Sequence, residues 1–216
     1  MTANTQILLA ETPRGKLESS HFQIQKGSVP TPEDGQVLVR SVLLSLDAAN
    51  RAWMQGATYK SAVEVGQIMH GYAIGEVVES KSSAYSAGDV VAGEFGWQEY
   101  ASINAKAVRP VGDHRPLTHH HSVLGIAGLT AHHGLLEVVG INEGETLLVS
   151  AAGGSVGSLV GQIGKIKGAR VVGVAGGPDK CRWVVDELGF DACIDYKEGS
   201  LSKALRQHCP IGVDVY

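Results

Sequence analysis

Along residues 6–111 the apolar positions come in short runs, QILLA, FQIQ, QVLVRSVLLSL, AIGEVVES, GDVVAGEF and WQEYASI, broken by Gly15, Gly27, Pro30, Pro32, Gly35, Gly56 and Gly88. Runs of that length, punctuated by glycine and proline and without a long helical period, predict a mostly β half built as a small barrel or sandwich. One helix interrupts it, since Asp47 can cap residues 48–55 and Gly56 can stop them. The stretch PVGDHRPLT is irregular and polar, which places the domain boundary there and gives units 1–118 and 119–216. The period then changes. Leu124, Leu129, Leu135, Leu136 and Val139 can share one face of a helical segment over 122–138, with Gly128 where a break would fall.

Residues 146–167, TLLVSAAGGSVGSLVGQIGKIK, read as strand, glycine turn and helix without a gap. An apolar run over 146–151 has strand length, and Val156, Leu159, Val160, Ile163 and Ile166 repeat at the spacing of one helical face. Against the dinucleotide fingerprint GxGxxG, Gly154 and Gly157 fill the second and third glycine positions, and Ala152 stands at the first. The chemistry behind that pattern is a backbone bare at Gly154, so that a pyrophosphate can approach the amides and positive dipole end of the helix, and a helix packed close at Gly157. A glycine turn between strand and helix is often only a tight connection. Here the alternation continues with strands at 171–175, 192–196 and 213–216 and helices at 178–188 and 200–209, which predicts a parallel, doubly wound sheet.

At 216 residues, 44% hydrophobic and 19% charged, the chain has ordinary globular composition. A net charge of −4 with mixed signs argues against nucleic acid or an anionic membrane as the main partner. Residues 1–20 contain Glu11, Arg14, Lys16 and Glu18 and no signal-peptide core, so a cytoplasmic protein is expected. Cys181, Cys193 and Cys209 all fall late in the chain, against a disulfide framework and against a cysteine-based zinc site anywhere in residues 1–180.

Among residues that could carry chemistry, the end of the second nucleotide strand matters most, because an acidic residue there holds the adenosine ribose in NAD-binding units. It reads AGGPDK. Gly176 and Gly177 replace the carboxylate, and Lys180 would attract the phosphate that distinguishes NADP from NAD, although a solvated surface lysine looks the same in sequence. Asp179 counts against the phosphate unless it points outward. His70 and the run His119, His120 and His121 suggest metal ligands, but three adjacent histidines project in different directions, and a loop or helix-entry role suits them better. His132 and His133 read as structural. Hydride transfer needs little beyond alignment and a hydrogen-bond donor for developing charge. Asn50 and Tyr59 could supply that donor on the substrate side, while a lone tyrosine is more often a packed ring with its hydroxyl at the surface.

The motifs LSLDAANRAWM, GLTAHHGLLEVVGINEGETLLVSAAGGSVGSLVGQIGKIKGARVVGVAGGPDK and ELGFDACIDYK resemble the zinc-independent branch of the medium-chain dehydrogenase/reductase superfamily, specifically its NADP-dependent alkenal, prostaglandin and curcumin double-bond reductases. The resemblance implies a GroES-like β-barrel followed by a Rossmann domain that binds NADP(H). Gly154, Ser155, Val156 and Gly157 would hold the pyrophosphate, Gly177, Lys180 and Tyr196 the adenosine 2′-phosphate region, and Thr130 would sit near the nicotinamide. It implies no metal, a homodimer when full length, and a small-molecule substrate whose conjugated double bond is reduced by hydride transfer. It identifies no catalytic residue or proton donor. Quinone reduction by the same cofactor, or a chain that binds nucleotide weakly without catalysis, are the alternatives. Zinc-dependent relatives carry an early cysteine where this chain has LSLDAAN, and His70 lies near one of their metal histidines. Family members continue past the position of Tyr216, so the resemblance implies a shortened chain with the first half of the nucleotide sheet and an apolar edge at VDVY.

Overall fold

Strand formation in the first half follows the apolar runs. The computed structural model, which describes residues 3–216, gives the strands β1 (Ala3–Leu9), β2 (Phe22–Ser28), β3 (Gln36–Leu44), β4 (Tyr72–Ser80), β5 (Val90–Glu94), β6 (Tyr100–Asn104) and β7 (Arg109–Pro110), with one helix, α1 (Ala48–Trp53). Five of them form an antiparallel sheet in the order β6-β3-β4-β5-β7, and β1 pairs with β2. Backbone bonds from Ile7 N–H to the Trp97 carbonyl and from Leu9 N–H to the Gln67 carbonyl, both 2.9 Å, tie β1 to the rest. Alternate residues of the strands face inward. Val37, Val39, Val77, Val91, Phe95 and Ala101 make one core, and Leu9, Trp53, Met54, Val63 and Met69 make a second beneath α1. The short β7 carries no sequence signal of its own.

The chain divides into two compact units, Met1–Asp113 and His114–Tyr216. The second contains α2 (Ile126–His132), which runs on into a π-wound turn (His133–Val139), then β8 (Thr146–Val149), α3 (Ser155–Ile166), β9 (Arg170–Ala175), α4 (Pro178–Asp186), β10 (Ala192–Asp195) and α5 (Leu201–His208). The three strands are parallel in the order β10-β9-β8. Period-two alternation sends Leu147, Val149 and Val171 to a core that includes Val160 and Ile163 of α3 and Val184 of α4. Leu148, Val172, Val174 and Ile194 pack on the opposite face with Ala204 and Leu205 of α5. Helices therefore cover both faces, as parallel strands require.

Two sequence expectations change. The helix expected from residue 122 starts at Ile126, because the preceding residues fold back onto it: a Cβ at Gly128 would stand 1.9 Å from the Val123 carbonyl oxygen. Gly128 is thus a point of close approach and not a break, and the loosening to π winding comes at His133. The strand expected over 213–216 contributes a single parallel bridge, Leu147 to Val215, with Leu148 N–H donating to the Val215 carbonyl at 2.8 Å. The first unit has the build of a GroES-like β domain, and the second is the opening part of a Rossmann-type sheet. No helix among the described residues is long and apolar enough to cross a membrane.

Candidate nucleotide-binding site

The carboxyl ends of β8, β9 and β10 lie side by side in the parallel sheet, and each leads into a segment with a polar or glycine-rich turn. After β8 the chain makes a tight turn in which Ala151 takes a left-handed backbone (φ 48°) and Gly154 N–H donates to the Ala151 carbonyl at 2.7 Å. Gly154 then caps α3 with extended backbone. A Cβ at Gly157 would meet the Ala151 carbonyl oxygen at 2.5 Å, so only glycine lets the first turn of α3 sit against the loop. Ala152, at the first position of the fingerprint, is fully buried, and its side chain fills space beside Gly173 of β9. Ser155 and Val156 are exposed at the helix start, where amide groups have no carbonyl one turn back and the helix dipole is positive. Missing side chains thus leave the backbone of the turn open in front of these amides.

The ends of β9 and β10 supply the second part. Gly177 caps α4 with φ 100°, and its N–H donates to Asp195 Oδ1 at 2.9 Å. Lys197 N–H donates to the same oxygen at 3.0 Å. These two backbone bonds, that from Gly177 first, hold the Asp195 carboxyl below the usual carboxylate range. Tyr196 lays its ring over Gly176, where a Cβ would come within 2.8 Å of the hydroxyl. Lys180, in the first turn of α4, runs its stem past Gly153, whose Cβ would be 3.8 Å from Lys180 Cδ. Lys180 is exposed, and its side chain has no ion pair or hydrogen bond among the described residues, whereas Asp179 is spent on Arg182 and is 88% exposed. The Asp179 carboxylate therefore faces solvent with its own cation.

Thr130 of α2 is brought to the glycine turn by an open cavity of about 550 Å³, which it lines with Leu135, Ser150, Val156, Gly157 and Val160. Sequence reasoning missed Asp195. It stands at the last position of a parallel strand, and the rule that ligands bind beyond the carboxyl ends of such strands was the signal that could have found it.

In the first unit, the expected substrate-side residues have different environments. Asn50 is 6% exposed, and its amide is engaged at both ends: Oδ1 accepts from Asp47 N–H at 2.6 Å and Nδ2 donates to the His70 carbonyl at 2.9 Å. It locks the start of α1 to the segment before β4. Tyr59 is 84% exposed, with its ring edge-on to Trp53 and its hydroxyl without a hydrogen bond among the described residues. Trp53 also receives Lys60 over its face at 4.8 Å, and Lys60 pairs with Glu94 at 2.6 Å. His70 packs against Trp53, and burial, then the Lys60 charge, hold its imidazole below the ordinary value of 6.5. Nδ1 of His119 lies 2.7 Å from Nε2 of His114, the rings stacked, and His120 bonds the His114 carbonyl. His119 and His120 lie in a 3-10 turn, and His132 and His133 are exposed. Among the described residues no group of three or more His, Cys, Asp or Glu side chains is placed to hold a metal.

A β domain followed by a parallel sheet whose first strand leads through a glycine turn into a helix has the layout of a dinucleotide-binding oxidoreductase fold. Residues 5–111 match the model for the N-terminal domain of oxidoreductase, and residues 155–216 match that for zinc-binding dehydrogenase. The chain is 44% identical over 216 residues to the NADPH-dependent curcumin reductase of Escherichia coli, covering 99% of this chain and 62% of that protein. It is 35% identical over 222 residues to the 2-alkenal reductase (NADP(+)-dependent) of Nicotiana tabacum, covering 99% and 65%. The crystal structure of CurA in complex with NADPH from Vibrio vulnificus superposes with a TM-score of 0.92 at 39% identity, over 98% of this chain and 64% of that one. The chain carries the two domains that these matches describe, and it spans a little under two thirds of the length of these relatives.

Proposed function

We propose that the protein is an NADPH-dependent oxidoreductase that reduces the carbon–carbon double bond of α,β-unsaturated aldehydes and ketones. The observation that carries the cofactor half of this reading is the end of β9, where two glycines stand in place of a carboxylate and an unpaired Lys180 lies beside the glycine turn. A carboxylate there would accept from the ribose hydroxyl of NAD and would repel the 2′-phosphate of NADP. Lys180 would offer that phosphate a cation, with Gly177 and the Tyr196 hydroxyl, which lies against Gly176, as its further partners. Gly154, Ser155, Val156 and Gly157 would hold the pyrophosphate through the first amides of α3. Thr130, which shares a cavity with Val156 and Gly157, would stand by the nicotinamide.

The substrate half rests on what the relatives' names say of them, a curcumin reductase and a 2-alkenal reductase. Bound NADPH supplies the hydride for the β-carbon of the conjugated carbonyl compound. Charge then develops on the carbonyl oxygen, where a hydrogen-bond donor stabilises it, and the α-carbon takes a proton. Tyr59 keeps a free hydroxyl for such a bond, while the Asn50 amide is committed to Asp47 and His70. The test is loss of NADPH absorbance by the purified protein with a panel of alkenals, conjugated enones and quinones. Oxidation with the alkenals and enones is expected. Turnover of quinones alone would move the protein to quinone reduction, and dependence on added zinc would overturn the metal-free reading.

A further inference from the structure

Two of the three cysteines, far apart in the reading of the sequence, meet at the base of α4. Cys181 projects from its first turn, Cys193 from β10, and their sulfur atoms stand 3.0 Å apart with Cys193 donating to Cys181. That separation is inside ordinary contact for two sulfurs and roughly 1 Å beyond a disulfide bond of about 2.05 Å. Both side chains line an open cavity of about 440 Å³ together with Pro178, Arg182, Val185 and Asp195, so a small reagent can reach them from solvent. Cys209, by contrast, is buried on the other face of the sheet with Val172 and Ile194.

We infer that Cys181 and Cys193 form a reversible dithiol–disulfide site that takes a hydroperoxide as its oxidant. The Cys181 thiolate attacks the terminal oxygen of the hydroperoxide, the O–O bond breaks, and the departing alkoxide leaves as an alcohol after taking a proton. Cys181 is then a sulfenic acid. The Cys193 sulfur attacks it, the S–S bond forms, the S–O bond breaks, and the hydroxide leaves as water with the Cys193 proton. Two thiols lose two hydrogens, and one hydroperoxide becomes an alcohol and water. The division of labour follows from the surroundings. Burial, then the hydrogen bond to Cys181, pushes the Cys193 thiol up to about 12, so Cys193 brings the proton that passes to the departing hydroxide as its sulfur attacks. The bond would staple the turn that carries Lys180 to the strand that carries Asp195. The dithiol stands on its own geometry, whichever nucleotide the neighbouring site takes.

The experiment starts from the reduced protein, freed of reductant, exposed to tert-butyl hydroperoxide, unfolded and alkylated with N-ethylmaleimide in denaturant, and examined by intact mass and peptide mapping. The expected result is one alkylated cysteine, Cys209, a protein mass lower by two hydrogens before alkylation, a peptide linking Cys181 to Cys193, and full recovery of three thiols with dithiothreitol. C209S should still bridge, and C193S should stop at a sulfenic acid on Cys181 that dimedone traps. Mapping of the unsubstituted chain decides the matter even where a variant fails to fold. Full alkylation of both cysteines after peroxide, a bridge through Cys209 or between molecules, or conversion of Cys181 to sulfinic acid without a bridge would overturn the site.

Discussion

Asn50 and His70 meet inside the first unit through the bond from the Asn50 amide to the His70 carbonyl, and the two side chains answer burial differently. The amide satisfies itself with backbone groups. The imidazole has its Nε2 buried without a hydrogen-bond partner, so desolvation and the Lys60 ammonium disfavour its charged form. A histidine whose folded pKa lies below its unfolded value contributes stability that is fully present above the ordinary 6.5 and is lost as the pH falls through the folded value. Urea unfolding followed from about pH 7.5 to about pH 5 should therefore show falling stability, and H70Q should show a shallower fall over the same window. An unchanged slope in the variant would remove His70 from the acid limb. Lys180 is the contrasting case at this scale: exposed, unpaired and beside a bare backbone, it has no structural task visible in the fold.

At the scale of elements, α3 is held to the sheet by glycines. A Cβ at Gly161 would lie 1.8 Å from Cζ of Phe190, which is itself 3% exposed and cannot swing away. Alanine gains about 1 kcal/mol of helix propensity over glycine, but forcing a methyl into a packed ring costs more, so G161A should destabilise the protein by about 1–2 kcal/mol net. Gly134 meets nothing within 4 Å, and G134A should be neutral or stabilising by up to about 1 kcal/mol. Urea unfolding monitored by circular dichroism checks the pair, and equal effects would contradict the packing argument. The helix itself was legible in the sequence from Val156, Leu159, Val160, Ile163 and Ile166. Its glycine contacts were not, because they depend on Phe190 arriving from a later segment. For the same reason the sequence shows Lys180 and the glycine turn but not Asp195 as partner of Gly177. Nor could spacing reveal that Asn50 is consumed by backbone groups, that Gly128 supports a fold-back at Val123, or that Cys181 faces Cys193.

At the scale of the whole molecule, each unit has its own core, and the residues proposed to hold the nucleotide, Gly154, Gly157, Gly177, Lys180 and Tyr196, all belong to the second, as does Asp195. The proposed pyrophosphate and 2′-phosphate contacts are therefore testable on this chain, although it spans a little under two thirds of its relatives. The most direct measurement is isothermal titration of the protein with NADPH and with NADH, repeated on K180Q. NADPH should bind more tightly than NADH, and K180Q should lose roughly tenfold or more in NADPH affinity, as expected for one charge-assisted contact to phosphate, with NADH binding unchanged. Binding of neither nucleotide, or tighter binding of NADH, would contradict the account.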